Sequence, residues 1–475
     1  MYDVAVIGAG VTGGLIARKL TSYKLNICIL EAENDVGCGA SSANSAIVHA
    51  GFDAKPGTLK ARFNVEGSRM MERVCAELGV KYKRNGSLVI GFSEEDRKTL
   101  GELLERGRKN GVEGLYIAGG DEVRALEPEL SGDVTCALVA PTGAIICPYE
   151  LAVSAAGNAM DNGAELMLNF RVSSVTVTPD GFSVGAEDGR CVAARRVINC
   201  AGVYADRVAA TCGDDSFRIR PRRGEYMLLD KSSGGMCSHT VFRTPTAMGK
   251  GILITPTVDG NLLLGPTSED IDDKDDVSVT RGGLERIAEQ VKREMPRVDT
   301  GAVITSFCGL RAVGNTGDFI INEPLRGFVN VAAIESPGLT SSPAIAEYVA
   351  EILENSGLKM ENNGKYDPEH RPLHWFRELS DSEKNEVIAR DPSYGRVVCR
   401  CEGVTEGEIL YAISQNPRPS DLDGVKRRTR AQMGRCQGGF CSPYIVKILS
   451  DRLGIPFEAV TKSGGGSYIN VGRTK

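Results

Sequence analysis

Residues Asp3 to Glu31 restrict the fold more than any other stretch of this chain. Val4, Ala5, Val6 and Ile7 read as an apolar strand, Gly8-Ala9-Gly10-Val11-Thr12-Gly13 as a turn into a helix, and Ile27, Cys28, Ile29 and Leu30 as a second strand running into an acid. Gly8 permits the tight turn, Gly10 lets a pyrophosphate approach the backbone, and Gly13 lets helix and strand pack closely. The free amides at the helix start, with the helix dipole, attract phosphate. Glu31 stands 18 residues after Gly13, where a carboxylate accepts hydrogen bonds from ribose hydroxyls. The six-residue motif alone also suits a glycine-rich turn in an ordinary parallel sheet. Strand, helix, strand and acid in register point to a dinucleotide.

A chain of 475 residues has room for two or three domains and a large core. Its 41% hydrophobic and 25% charged residues are those of a globular protein, and a net charge of -6 argues against bulk nucleic-acid binding. The strand signature begins at residue 2 and no apolar run approaches the roughly 18 residues that span a bilayer. A cytoplasmic protein is expected, with peripheral membrane association left open. Of the 14 cysteines, ten are scattered like small buried hydrophobes, and four cluster at 399, 401, 436 and 441.

Taken in order, the chain leaves Glu31 through a small, polar, glycine-bearing loop, 33–45. A nicotinamide-binding unit moves straight into another helix, whereas this loop offers amides and hydroxyls to a longer cofactor, which favours FAD. A helix carrying Met70, Val74 and Leu78 follows and stops at Gly79. Residues 87–140 read as an insertion of strand and helices, with a helix from about Ser93 and a second carrying Val123 and Leu126. Strands near 172–177 and 197–199 return to the first lobe, and Cys200-Ala201-Gly202 lets the backbone come close to a dinucleotide. Residues 221–299 read as an antiparallel sheet with a hairpin turn at 258–261 and a closing helix near Gly283 to Met295. Glu335 to Thr340 lead into a helix whose first amides can face the electron-rich end of a flavin ring.

The expected architecture is therefore α/β and α+β: a Rossmann-like FAD-binding domain (1–86, 141–220 and 300–356), an inserted antiparallel-sheet substrate domain (87–140 and 221–299), a linker (357–395), a small, mainly helical [2Fe-2S] domain (396–456) and a tail (457–475). In the small domain, Thr405-Glu406-Gly407-Glu408 is a capping box, and Ser442-Pro443 should cap a second helix.

Cys399-Arg400-Cys401 and Cys436-Gln437-Gly438-Gly439-Phe440-Cys441 are separated by 34 residues. Four thiolates on two short loops hold either zinc or an iron-sulfur cluster. Zinc sites usually have spacers of two to four residues, so Cys-x-Cys favours [2Fe-2S]. Gly434, Gly438 and Gly439 let loop amides turn towards sulfides. The basic run Lys426, Arg427, Arg428, Arg430 and Arg435 is either a solvated face or a set of charges that stabilises the cluster or steers an acidic redox partner.

On these residues the chain resembles known families over nearly its full length. Asp3 to Gly13 with Glu31, Ser42-Ala43-Asn44-Ser45-Ala46-Ile47-Val48-His49-Ala50-Gly51, Arg223-Gly224-Glu225-Tyr226 and Gly309-Leu310-Arg311 are similar to the D-amino-acid oxidase type of FAD-dependent oxidoreductase, in its glycerol-3-phosphate dehydrogenase and L-2-hydroxyglutarate oxidase branches. Residues 397–450 resemble the [2Fe-2S] domain of the bacterioferritin-associated ferredoxin type, and the combination resembles the catalytic subunit of anaerobic glycerol-3-phosphate dehydrogenases.

The resemblance implies FAD held by Gly8, Gly10, Gly13, Glu31, Ser41, Ser42, Asn44, Ser45, Val172, Ala201, Gly202, Gly309, Gly338, Leu339 and Thr340, and a cluster held by Cys399, Cys401, Cys436 and Cys441. His49 is the best-placed base of four histidines, or else a holder of a flavin hydrogen bond. Arg311 matches the substrate-side arginine, with Lys250 and Arg223 as weaker candidates. The expected reaction is oxidation of glycerol 3-phosphate to dihydroxyacetone phosphate, electrons leaving one at a time. L-2-hydroxyglutarate or another 2-hydroxy acid is the alternative substrate, and a non-catalytic redox scaffold or cluster carrier the alternative role. With no second Gly-x-Gly-x-x-Gly downstream, the electrons should go to a second flavoprotein or other acceptor subunit, in an oligomer.

Overall fold

The computed structural model describes residues 1–245, 251–370 and 375–472. In the first lobe the strand Tyr2–Ile7 lies between two parallel neighbours, Ile27–Leu30 and Cys191–Asn199. Glu165–Met167 extends the sheet on one side, and Phe328–Ala332 joins in parallel on the other. Val4 to Ile7 and Ile27 to Leu30 are all buried, because a parallel sheet is covered on both faces and its strands read as unbroken apolar runs. Helices Val11–Thr21, Leu59–Leu78, Pro148–Asp161 and Gly338–Asn355 supply Leu15, Phe63, Leu151 and Val349 to one core. Helix Ala205–Thr211 and residues Phe170, Phe182 and Phe328 form the core on the opposite face.

The second lobe is a nine-stranded sheet whose spine is one antiparallel pair, Ile219–Leu229 with Val303–Gly314, matched almost end to end. This corrects the expected boundary at 299/300, which put residues 303–314 in the nucleotide lobe. Their apolar content suits either lobe, and only backbone pairing assigns them. Ser87–Gly91, Cys136–Ala140 and Tyr116–Gly119, far away in sequence, join the same sheet. The 258–261 turn connects the paired strands Leu253–Pro256 and Leu262–Gly265. Glu225 is fully buried and accepts hydrogen bonds from the Thr280 amide and hydroxyl at the start of helix Arg281–Glu294, where negative charge is favoured.

From Val397 two short strands and the helices Glu406–Ser414, Leu422–Thr429 and Ser442–Leu453 close around Ile409, Val425, Ile445 and Leu449. The Thr405 and Glu408 capping box forms. The second cap differs from expectation: Cys441 holds the cap position, and Ser442, already helical, donates its hydroxyl to the Gly438 carbonyl at 2.7 Å. The linker is tied down as well, since Arg18 donates to the Pro368 carbonyl at 2.8 Å and the His370 amide to Glu77 at 2.9 Å.

Within the basic run Arg427, Arg428 and Arg430 turn inward onto acids, while Arg435 stays exposed and is paired at the surface. Arg428 grips Asp35 with two bonds of 2.8 Å and Arg427 adds one of 2.6 Å. Arg430, 5% exposed, pairs with Asp259 at 2.7 Å and Glu402 at 3.1 Å, and Arg435 pairs with Asp230 at 2.8 Å. Asp35 lies in the cofactor-side loop, and Asp230 and Asp259 in the substrate lobe. The run therefore seats the small module on both other lobes. Burial alone would raise the Asp35 carboxyl, but Arg428 and Arg427 hold it down to about 2.

Candidate functional site

The dinucleotide turn is built as its glycines require. Gly8 has φ +98°, and a β-carbon there would lie 2.5 Å from the Cys200 carbonyl oxygen. A β-carbon on Gly13 would lie 2.0 Å from the Gly8 carbonyl oxygen, so helix and strand touch at that point. Gly8 thus lets Cys200 and Ala201 come against the turn, while a β-carbon on Gly202 would meet nothing within 4 Å. Glu31 is buried; its two oxygens accept from the Ala9 amide at 2.7 Å and the Glu33 amide at 2.9 Å. Burial pushes its carboxyl up to about 6 despite those amides. Ser41 accepts from the Val11 amide at 2.9 Å, which joins the 33–45 loop to the helix start. Val172, partly buried, opens the strand that follows Phe170, whose amide bonds the Glu31 carbonyl at 2.7 Å.

Other members of the expected cofactor set hold the loop itself. Ser42 donates to the Gly39 carbonyl at 3.0 Å, Asn44 to Ala40 at 3.0 Å, and the Asn44 oxygen accepts from the Ala46 amide at 2.8 Å. Ser45 meets the Tyr226 hydroxyl at 3.1 Å. A β-carbon on Gly309 would lie 1.9 Å from the Ala43 carbonyl oxygen, so the substrate sheet packs directly on this loop. At the head of helix Gly338–Asn355, the Thr340 hydroxyl accepts from the His49 amide at 2.9 Å and donates to the Ile47 carbonyl at 3.3 Å. Gly338 and Leu339 share that first turn. The His49 ring lies 5.8 Å from Phe242 of the substrate lobe, and its Nε2 is 3.4 Å from the Ser336 hydroxyl.

Strand alternation sorts the arginines. Arg311 is opposite Arg222, Gly309 opposite Gly224, and Phe307 opposite Tyr226, so these six share the face turned to the 40–45 loop. Arg311 is half-buried; its Nη2 donates to the Arg223 and Thr267 carbonyls at 3.0 and 2.7 Å. Desolvation lowers its pKa, and the neighbouring Arg222 guanidinium acts in the same direction. Arg223 is corrected: one residue out of step, it lies on the opposite face and forms an ion pair with Asp276. Lys250 lies outside the described residues. Sequence reasoning singled out neither Arg222 nor Phe242. Two adjacent arginines give no sign of which one faces the loop, and Phe242 comes from a strand remote from the motif.

The four clustered cysteines converge. Cys401 and Cys436 have sulfurs 3.6 Å apart, with Cys401 exposed, while Cys399 and Cys441 are each 1% exposed. Amides of Glu402 and Gln432 face the Cys399 sulfur, and those of Gly438, Gly439 and Phe440 face Cys436. A β-carbon on Gly434 would lie 2.2 Å from the Cys401 Cβ, so only glycine lets the two loops close. Thiolates ringed by amide donors suit an anionic iron-sulfur cluster. Elsewhere, Cys147, Glu150 and Asp259 have ligand atoms within 4.8 Å of one another. Asp259 is already paired with Lys81, Arg377 and Arg430, so the charge there is balanced without an ion.

The family model described as FAD dependent oxidoreductase matches residues 3–352. The chain belongs to this family. As an FAD-dependent oxidoreductase it carries an added module, since the BFD-like [2Fe-2S] binding domain matches residues 397–451. Glycerol 3-phosphate dehydrogenase of Caloramator mitchellensis is 46% identical over 100% of this chain and 99% of its own. Glycerol 3-phosphate oxidase of Mycoplasma genitalium is 30% identical over 79% of this chain and 99% of its own. The structure of L-alpha-glycerophosphate oxidase from Mycoplasma pneumoniae with FAD bound covers 78% of this chain and 98% of its own, at a TM-score of 0.74 and 28% identity. The cofactors of this oxidoreductase are FAD and a [2Fe-2S] cluster. Its glycine turn and buried Glu31 carboxylate fit the first, and its four converging thiols with their ring of amides fit the second.

Proposed function

We propose that this oxidoreductase oxidises glycerol 3-phosphate to dihydroxyacetone phosphate. The observation that carries the reading is its full-length similarity to a glycerol 3-phosphate dehydrogenase, cluster module included. FAD, when bound, supplies the two-electron acceptor for hydride, and the [2Fe-2S] cluster a one-electron exit. The remaining tasks fall to side chains. His49, its backbone pinned by Thr340 and Asn64, takes the proton from the secondary hydroxyl, a task that suits an imidazole. Arg311, its fork oriented by two carbonyls, holds the phosphate dianion with charge-assisted hydrogen bonds. Arg222 on the same face strengthens the field but is shared with Asp270.

The acceptor is a separate one-electron carrier or subunit, since two electrons enter together and leave singly. Among the described residues no helix is long and apolar enough to cross a membrane. The test is anaerobic titration of the purified protein in one cuvette. Flavin absorbance should bleach on adding glycerol 3-phosphate and the cluster band should follow, whereas 2-hydroxy acids should do neither. Bleaching by L-2-hydroxyglutarate instead would reassign the substrate, and no bleaching by any alcohol would leave a redox scaffold.

A further inference from the structure

The cluster module presents a bare aromatic surface on its solvent side. Cys399 and Cys441 are 1% exposed and packed into the module core, whereas Cys401 is exposed and Cys436 partly so. The solvent side of the centre is therefore the Cys401 and Cys436 side. Phe440, whose amide faces the Cys436 sulfur, is 79% exposed, and Tyr444, on the first turn of the following helix, is 64% exposed. They are the two most exposed aromatic side chains among the described residues. Single exposed apolar residues are commonplace, but two large rings beside a redox centre make a patch of the kind that anchors interfaces.

The charges around this patch differ from those of the neighbouring basic run. Arg427, Arg428, Arg430 and Arg435 are all held by acids of the other lobes. Arg400, between the buried Cys399 and the exposed Cys401, and Lys447, one turn beyond Tyr444, are exposed and join none of the ion pairs among the described residues. Nearby, Lys231 is neutralised by Glu402 and Arg396 by Glu406. Two cations that join no ion pair among the described residues thus border the aromatic pair.

We propose that Phe440 and Tyr444, rimmed by Arg400 and Lys447, are the docking face for an acidic protein that carries a one-electron acceptor. The inference rests on the reading of the module as an electron exit. Each docking event moves one electron from the iron centre to the centre of the carrier, and no bond is made or broken. Two events clear the pair taken from one alcohol. Repeated encounters require a contact that releases readily, and a small aromatic anchor with unpaired rim charges provides one.

The holoenzyme, its flavin and cluster verified from the spectrum, is reduced with dithionite, desalted, and mixed in a stopped-flow cell with an acidic flavodoxin or a basic c-type cytochrome. Chemical reduction bypasses the alcohol, so a wrong substrate assignment leaves this measurement intact. The expected result is fast flavodoxin reduction that slows about tenfold or more as salt rises through physiological strength. Phe440→Ser with Tyr444→Ser, and separately Lys447→Glu, should each cost a similar factor while cluster and flavin spectra stay unchanged, and Lys447→Ala should fall between. Unchanged rates in these variants would overturn the proposal, as would faster reduction of the basic carrier at low salt. A double variant that turns a dimeric holoenzyme into a monomer in sedimentation would overturn it too, because the patch would then belong to a second copy of this chain.

Discussion

Glu31, the acid proposed to take the ribose hydroxyls of FAD, is held in place by its neighbours. Two amides donate to it, yet burial keeps its carboxyl up at about 6, above the value of 4.5 expected for a free glutamate. A ribose hydroxyl donates to the ionised form, so below that value binding must first remove a proton. FAD affinity of the apoprotein is then expected to rise about tenfold per pH unit up to about pH 6 and to level off above it. Flavin fluorescence titrations across that range should show the break, and Glu31→Gln should flatten it. On the face turned to the 40–45 loop, Arg311 is held by the Arg223 and Thr267 carbonyls. Arg311→Ala should lower kcat/KM for glycerol 3-phosphate roughly 30- to 150-fold, the equivalent of about 2–3 kcal/mol for lost charge-assisted hydrogen bonds. Flavin content should be unaffected, and steady-state kinetics with a spectrum of each preparation checks both halves.

At the scale of elements, the strand pair Ile219–Leu229 and Val303–Gly314 does most to bring cofactor and substrate residues together. Its period of two places Arg311, Gly309 and Tyr226 on one face and Arg223 and Glu225 on the other, so a slip of one residue would exchange the two sets. Gly309 is the point where this face meets the 40–45 loop. Gly309→Ala would push a methyl group to within 1.9 Å of the Ala43 carbonyl oxygen, and the loop must move. The expected cost is about 1–3 kcal/mol of stability with weakened FAD retention, read as a lower Tm and a flavin-poor preparation that excess FAD partly restores. The module's first helix forms from purely local signals, with Thr405 and Glu408 bonded reciprocally.

Across the whole molecule, ionic clasps fix the module on the other lobes. The Asp35 carboxyl sits at about 2 in the folded protein, below the roughly 3.9 of an unfolded chain. Its contribution is therefore complete above about pH 4 and is lost as pH falls through about 2. At neutral pH, Arg428→Ala should remove about 3–5 kcal/mol by leaving Asp35 with a single buried partner, seen as a lower Tm with the module released first to proteolysis. Cys436→Ser should abolish the cluster band and carrier reduction while leaving flavin bleaching by substrate, since the two centres sit in separate lobes. Much of this organisation is legible in the sequence because its signals are local: glycines that only a tight turn requires, an acid one strand later, a Cys-x-Cys and a Cys-x4-Cys pair, and a capping box. These determined the dinucleotide lobe, the cluster module and both cofactors. The proposed substrate face depends on tertiary structure, because cross-strand register between residues about 90 apart puts Arg311 with Arg222 on the side of the 40–45 loop and Arg223 on the other. The basic run is a similar case: its arginines look alike in sequence whether they face solvent or a neighbouring lobe, and only the positions of Asp35 and Asp259 in the folded chain turn Arg427, Arg428 and Arg430 inward, while Arg435 stays exposed.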